Sequence, residues 1–95
     1  MFENRRYKTR GVSEKVNLLL QLFMWQCVEE LNLPKDYLQI FKCSIWDSKQ
    51  KIVHIQENPE YKREYLLNTG APVFIGKIFV IDDVTHSTKL LGEEY

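Results

Sequence analysis

Residues 13–31, SEKVNLLLQLFMWQCVEEL, decide the fold, because they form the longest stretch free of Pro and Gly that keeps a helical spacing of apolar residues. Ser13 can offer its hydroxyl to a free first-turn N–H, and Glu14 suits the positive end of a helix dipole. No breaker follows until Pro34, so the spacing predicts one helix of about five turns. Val16, Leu19, Leu20, Phe23, Met24, Cys27 and Leu31 share a broad face suited to packing on a sheet. Leu18, Leu22 and Trp25 fall at i, i+4 and i+7 on nearly the opposite side. A small protein with one long helix needs only one apolar face, so the second predicts a surface awaiting cover. The expected cover is a second copy of the chain, as a homodimer, or an unidentified protein partner. The internal alternative is that the N-terminal arm or Leu90, Leu91 and Tyr95 fold back over it.

Outward from the helix, the chain reads as strands. Residues 5–10, RRYKTR, suit a short strand, with Gly11 as a flexible joint before the helix. After the LPKD turn, YLQIFKCSIWD is rich in aromatic and β-branched residues. Its apolar positions change phase between Ile40 and Phe41, which predicts a bulge or burial on both faces. Polar DSKQK separates it from KIVHIQ, where Val53 and Ile55 alternate with His54 and Gln56, the best hairpin signal in the chain. Asn58 and Pro59 break the ladder, and YKREYLL resumes it as a mostly polar edge strand with Tyr61, Arg63 and Tyr65 on one side. NTGAP is a loop by composition, and GKIFVI, the most β-like run, belongs near the sheet centre. The chain then turns at residues 82–85 and returns as a last strand through Leu91, leaving an acidic Gly-Glu-Glu-Tyr tail. One helix and several hairpins predict an α+β two-layer sandwich, a long amphipathic helix on an antiparallel sheet of about four to six strands.

Ninety-five residues with 44% hydrophobic content fit one small globular domain, 1–95, with no room for a second core. Thirteen Lys and Arg balance thirteen Asp and Glu, so no strong long-range pull towards nucleic acid or an anionic membrane is expected. The charged start MFENRRYKTR lacks the apolar core of a secretory signal, and no run has the length of a membrane span. These features predict a cytoplasmic protein with no membrane partner. Cys27 and Cys43 lie in apolar patterns and read as small buried hydrophobes in a reducing compartment.

Asp82, Asp83, Thr85, His86, Ser87 and Thr88 include the side chains a hydrolase or metal site would use. Adjacent Asp residues at a bend more often bond their own backbone, and neighbours His86 and Ser87 point to opposite faces of a strand. His54 and His86 read as surface or partly buried strand histidines, and the four Cys and His lack zinc-ligand spacing. No enzyme, metal or cofactor is expected. Gly11 beside Arg10 at the helix start is a weak anion site at best, and a hinge is the plainer reading. Arg5, Arg6, Lys8 and Arg10, with Tyr7 interleaved, form a basic cluster that could hold phosphates while a ring stacks on a base. A nucleic-acid module using this strand is the alternative to the protein-interaction reading.

RYKTRGV at 6–12, LQLFMW at 20–25, DYLQIF at 36–41 and IDDVTHSTKLLGEEY at 81–95 together resemble an uncharacterised family of small bacterial proteins, domain of unknown function nine-sixty. The resemblance spans nearly the whole chain. The family's final hairpin usually has Gly where this chain has Val84, and Met where it has Lys89. The resemblance implies a cytoplasmic protein of Gram-positive bacteria, with some relatives carried on mobile elements, and it transfers no activity. What emerges is a small non-enzymatic interaction or accessory protein.

Overall fold

A computed structural model of the chain describes residues 2–95. The elements run β1 (Arg5–Lys8), α1 (Arg10–Lys15), α2 (Leu18–Glu29), β2 (Leu38–Trp46), β3 (Lys49–Gln56), β4 (Tyr61–Leu67), β5 (Gly76–Asp82), β6 (His86–Leu91) and a final 3-10 turn, η1 (Gly92–Glu94). Six strands form one sheet in the order β1-β6-β5-β2-β3-β4. The fold is α+β, with the GKIFVI strand β5 inside the sheet and the charged YKREYLL strand β4 at its edge. The sheet is mixed rather than antiparallel. The first strand pairs in parallel with the last, Arg5 opposite His86 through Lys8 opposite Lys89, and closes the second edge.

The single long helix is also corrected. Val16 is extended at φ −114° and ψ 123°, and Asn17 starts a new helix by accepting the Leu20 N–H on its side chain at 2.9 Å. Asn is among the strongest N-cap residues, and here it outcompetes a continuous helix. Thr9, not Ser13, caps α1, accepting the Val12 N–H. Gln21 stitches the break, its amide donating to the Val16 carbonyl at 2.7 Å. Gly11 is no hinge but a helix residue under close cover. A Cβ there would lie 2.7 Å from Glu94 Oε2 and from Leu91 Cδ1, so both side chains would have to shift to keep the C-terminal turn against α1. The acidic tail is correspondingly tied down, with Glu93 on Lys15 at 2.9 Å and Glu94 accepting from Thr9 and the Leu91 N–H.

The β2–β3 hairpin turns through Asp47 and Ser48, both at positive φ, as the twist of a two-residue loop demands. Its register is regular from Ile40 opposite Ile55 to Trp46 opposite Lys49, with no bulge at the phase change. Val84, at φ 68° and 87% exposed, sits in the left-handed region at the β5–β6 turn. That conformation costs a β-branched residue about 1–2 kcal/mol relative to Gly.

The core lies between the helices and one face of the sheet. Phe2, Val12, Leu20, Met24, Val28, Phe41, Ile52, Ile78 and Val80 are essentially inaccessible. The same strand faces carry buried Gln39, Gln50, His54, Gln56, Ser87 and Lys89. His54 is thus fully buried, not at the surface, while Val53 and Ile55 on the same strand face away from the helices and are only partly covered. The buried polar groups are linked, as burial requires. Gln39 Nε2 donates to Gln56 Oε1 at 2.6 Å, leaving Gln39 Oε1 to accept from His54 Nε2 at 2.7 Å. The proton of His54 therefore resides on Nε2, and Nδ1 is buried without a partner among the described residues. Gln56 then donates to the carbonyls of Pro34 and Pro59, fastening both flanking loops.

Candidate functional site

The outer face of α2 is apolar and open. Leu18, Leu19 and Leu22 are 62%, 59% and 56% exposed, so Leu19 does not take the core place that its spacing predicts. A cleft of about 300 Å³ between this face and the end of β4 is lined by Leu19, Leu22, Phe23, Gln26 and Leu67. Trp25 does not share their exposure. It is half-buried against the core, with the Arg6 guanidinium 4.5 Å from its ring centroid and Lys89 Nζ 4.6 Å from it. Arg6 is held in turn by Glu29 at 2.7 Å. A strand residue thus covers the tryptophan, while neither Leu91 nor Tyr95 covers the leucines. Leu91 is in the core, and Tyr95 lies edge-on to Phe79 at 5.0 Å on the other side of the sheet.

The N-terminal basic cluster is divided among three environments. Arg5 and Tyr7 face away from the helices, beside His86 and Thr88. Arg6 and Lys8 take the helix side, and Arg10 opens α1 in an ion pair with Glu14 at 2.7 Å. The cluster in sequence is therefore not one surface in space.

At the β5–β6 turn, Asp82 is a structural fastener. Burial disfavours its charge, but hydrogen bonds from the Phe2 N–H, the Asn4 amide and the Val84 N–H outweigh this and hold its carboxyl below the usual value. Asp83 lies 3.8 Å from His86 Nε2, and Thr85 Oγ1 lies 2.9 Å from its Nδ1. His54 and His86 do not approach one another. Their strands are separated by two others, and they face opposite sides of the sheet. Among the described residues, no three His, Cys, Asp or Glu side chains gather as metal ligands. Both cysteines are free and buried, and burial pushes their thiols up, Cys27 to about 11 and Cys43 to about 12. Thiols so placed are not nucleophiles near neutrality.

Among the described residues, Lys89 is the one cation sealed in the core. Burial first, then repulsion from Arg6 and Lys8, brings its ammonium down to about 7, while its hydrogen bond to the Gln21 carbonyl and the Trp25 ring favour the charged form.

The face of the sheet away from the helices carries the feature that sequence reading missed. Leu90, Phe79, Ile40 and Ile55 form one apolar rung across four strands. Next to it, Lys42 on β2 sits directly opposite Lys77 on β5, both exposed. Like charges in such a pair destabilise a sheet, and among the described residues neither has a carboxylate within 4 Å. The signal is accessible only once the register is known, because the two lysines are 35 positions apart.

Among the described residues, no helix is long and apolar enough to cross a membrane. No curated protein matches the sequence. A solved structure, a protein of unknown function from Enterococcus faecalis, is similar over 97% of this chain and 91% of its own, with a TM-score of 0.79 and 26% identity. A family model described as a staphylococcal protein of unknown function matches residues 5–94, and the chain belongs to that family, DUF960.

Proposed function

We propose that this protein is a non-enzymatic interaction protein that docks through the outer face of α2, with a second copy of the chain as its first partner. The observation that carries this reading is the run of three leucines, each more than half exposed on one helix. With little more than half its surface exposed, each forgoes about 1–2 kcal/mol relative to full burial, so covering the patch favours association. A helix face can meet its own copy across a two-fold axis, with Leu18 of each chain beside Leu22 of the other. Trp25 flanks the patch, braced from the sheet side by Arg6 and Lys89. The non-enzymatic part is supported by the protonated thiols and by histidines held on opposite faces. The cytoplasm suits two buried free cysteines.

Light scattering on wild type beside Leu18→Glu/Leu22→Glu tests the reading, with circular dichroism as the check on folding. A dimer mass for wild type and a monomer mass for the folded variant support it. A wild-type monomer that retrieves the same proteins from lysate as the double variant overturns it.

A further inference from the structure

We propose that the open face of the sheet binds single-stranded nucleic acid, the Lys42–Lys77 rung holding phosphates while Phe79, Tyr95 and Trp46 stack on bases. This surface is separate from the α2 face and does not depend on its role. The argument begins with charge. The chain as a whole is neutral, yet the described strand positions of the open face carry Arg5, Lys42, Lys49, Lys51, Lys62 and Lys77 against one carboxylate, Glu64. Glu64 is spent on Lys51 at 3.1 Å. What sets this face apart from the helix side, where Lys89 is sealed in the core and Arg6 is paired with Glu29, is that its charge is exposed at the centre, where two lysines oppose one another on the inner strands β2 and β5. An anion seated between them removes a repulsion that the free protein bears.

The apolar neighbours of that rung narrow the class of anion. Phe79 lies one rung away, and Tyr95, 66% exposed, meets it edge-on. Trp46 is exposed beyond Lys51 at the far end of β2, and Tyr7 stands edge-on to His86 near the opposite edge. From β1 to β4 the face spans five strand spacings, roughly 24 Å. Aromatic rings interleaved with phosphate-binding cations suit a strand whose bases are unpaired and free to stack. A duplex hides those bases, and a flat sheet face offers no helix or ribbon to enter a groove. A second copy of the chain is a poor occupant, since a two-fold contact here would bring lysine rungs together.

Fluorescence anisotropy with labelled oligouridylate, oligothymidylate and a duplex of the same length tests the proposal. Both single strands are expected to bind at low salt and to weaken as salt rises. Lys42→Glu should weaken binding roughly tenfold and reduce the salt slope by about 0.7 for each phosphate it no longer neutralises. It should melt no lower than wild type, and Lys77→Glu repeats the measurement from the other strand should it do so. Tyr95→Ala and Trp46→Ala should each weaken binding by about five- to a hundredfold with the salt slope unchanged, which a merely electrostatic surface would not show. Arg10→Glu, on the helix side, should leave affinity unaltered. No binding at low salt, equal affinity for duplex, or an equal loss in Arg10→Glu overturns the proposal. So does displacement of the oligonucleotide by polyglutamate together with indifference to the aromatic substitutions, which would make an acidic protein the occupant.

Discussion

The two faces of the sheet divide their residues against the usual rule. The face covered by the helices buries three glutamines, a histidine, a serine and a lysine among its apolar residues, whereas the open face displays Leu38, Ile40, Val53, Ile55, Phe79, Ile81 and Leu90 in partial contact with water. The buried polar groups survive because they bond to one another and to loop carbonyls. Gln39, His54 and Gln56 form a chain that ends on Pro34 and Pro59, and Gln50 both donates to and accepts from the Phe74 backbone. The open face tolerates apolar residues because they are interleaved with lysines. Burial and hydrophobicity are therefore separate properties here, and mutating adjacent residues separates them experimentally.

The largest expected effect tests whether the covered face carries the stability. Phe41→Ala removes a fully buried ring that stacks on His54 at 4.5 Å, and should cost about 3–5 kcal/mol in urea unfolding. Ile40→Ala, one residue along the same strand but on the open face, should cost about 1 kcal/mol. Equal losses would show that the open face is packed against something in solution.

Acid should act on the covered face first. His54 is held down to about 4 by burial, below its ordinary 6.5, so between these values the unfolded chain takes a proton that the native protein refuses. The His54 contribution to stability is whole above about pH 6.5 and is lost towards pH 4, by roughly 3 kcal/mol. His54→Phe, read by the same titration, should flatten that slope.

Lys89 gives the opposite end of the pH scale. Its ammonium is brought from 10.5 to about 7, so from pH 7 to 10.5 the unfolded chain holds the extra proton and stability rises with pH, then levels. Lys89→Met fills a similar volume without charge, and should abolish that rise and stabilise the protein near neutrality by about 1–3 kcal/mol. A slope that persists in the variant would assign the rise to another group.

The smallest effect belongs to the open face. Lys42→Glu turns a like-charge pair with Lys77 into an opposite one, and should raise stability by about 0.2–1 kcal/mol at low salt, fading as salt is added. A loss instead would mean that the Lys42 stem packs more than its charge repels.

Much of the fold is legible in the chain. The aromatic and β-branched runs are strands, the polar edge strand and the inner GKIFVI strand take their expected places, and the turn at residues 82–85 holds. Asn17 is a cap signal that periodicity masks, because the apolar spacing of the sequence runs on across the break. The parallel pairing of β1 with β6 is not legible, since no local property of RRYK specifies a partner 81 residues on. The candidate surfaces divide in the same way. The exposure of Leu18 and Leu22 follows from helical spacing, while the covering of Trp25 by Arg6 and the opposition of Lys42 and Lys77 require the assembled sheet.

By itself, the sequence determined which segments extend and which coil, because propensity, capping and turn chemistry act over a few residues. Which side of β3 faces the helices was decided only by the tertiary structure. A period of two says that His54 and Gln56 share one face and Val53 and Ile55 the other. Pairing of His54 with Phe41 and of Ile52 with Cys43 then carries that whole face inward together. The register of the sheet, set by its most apolar strands, drew the polar residues into the core and left the valine and isoleucine beside the lysines.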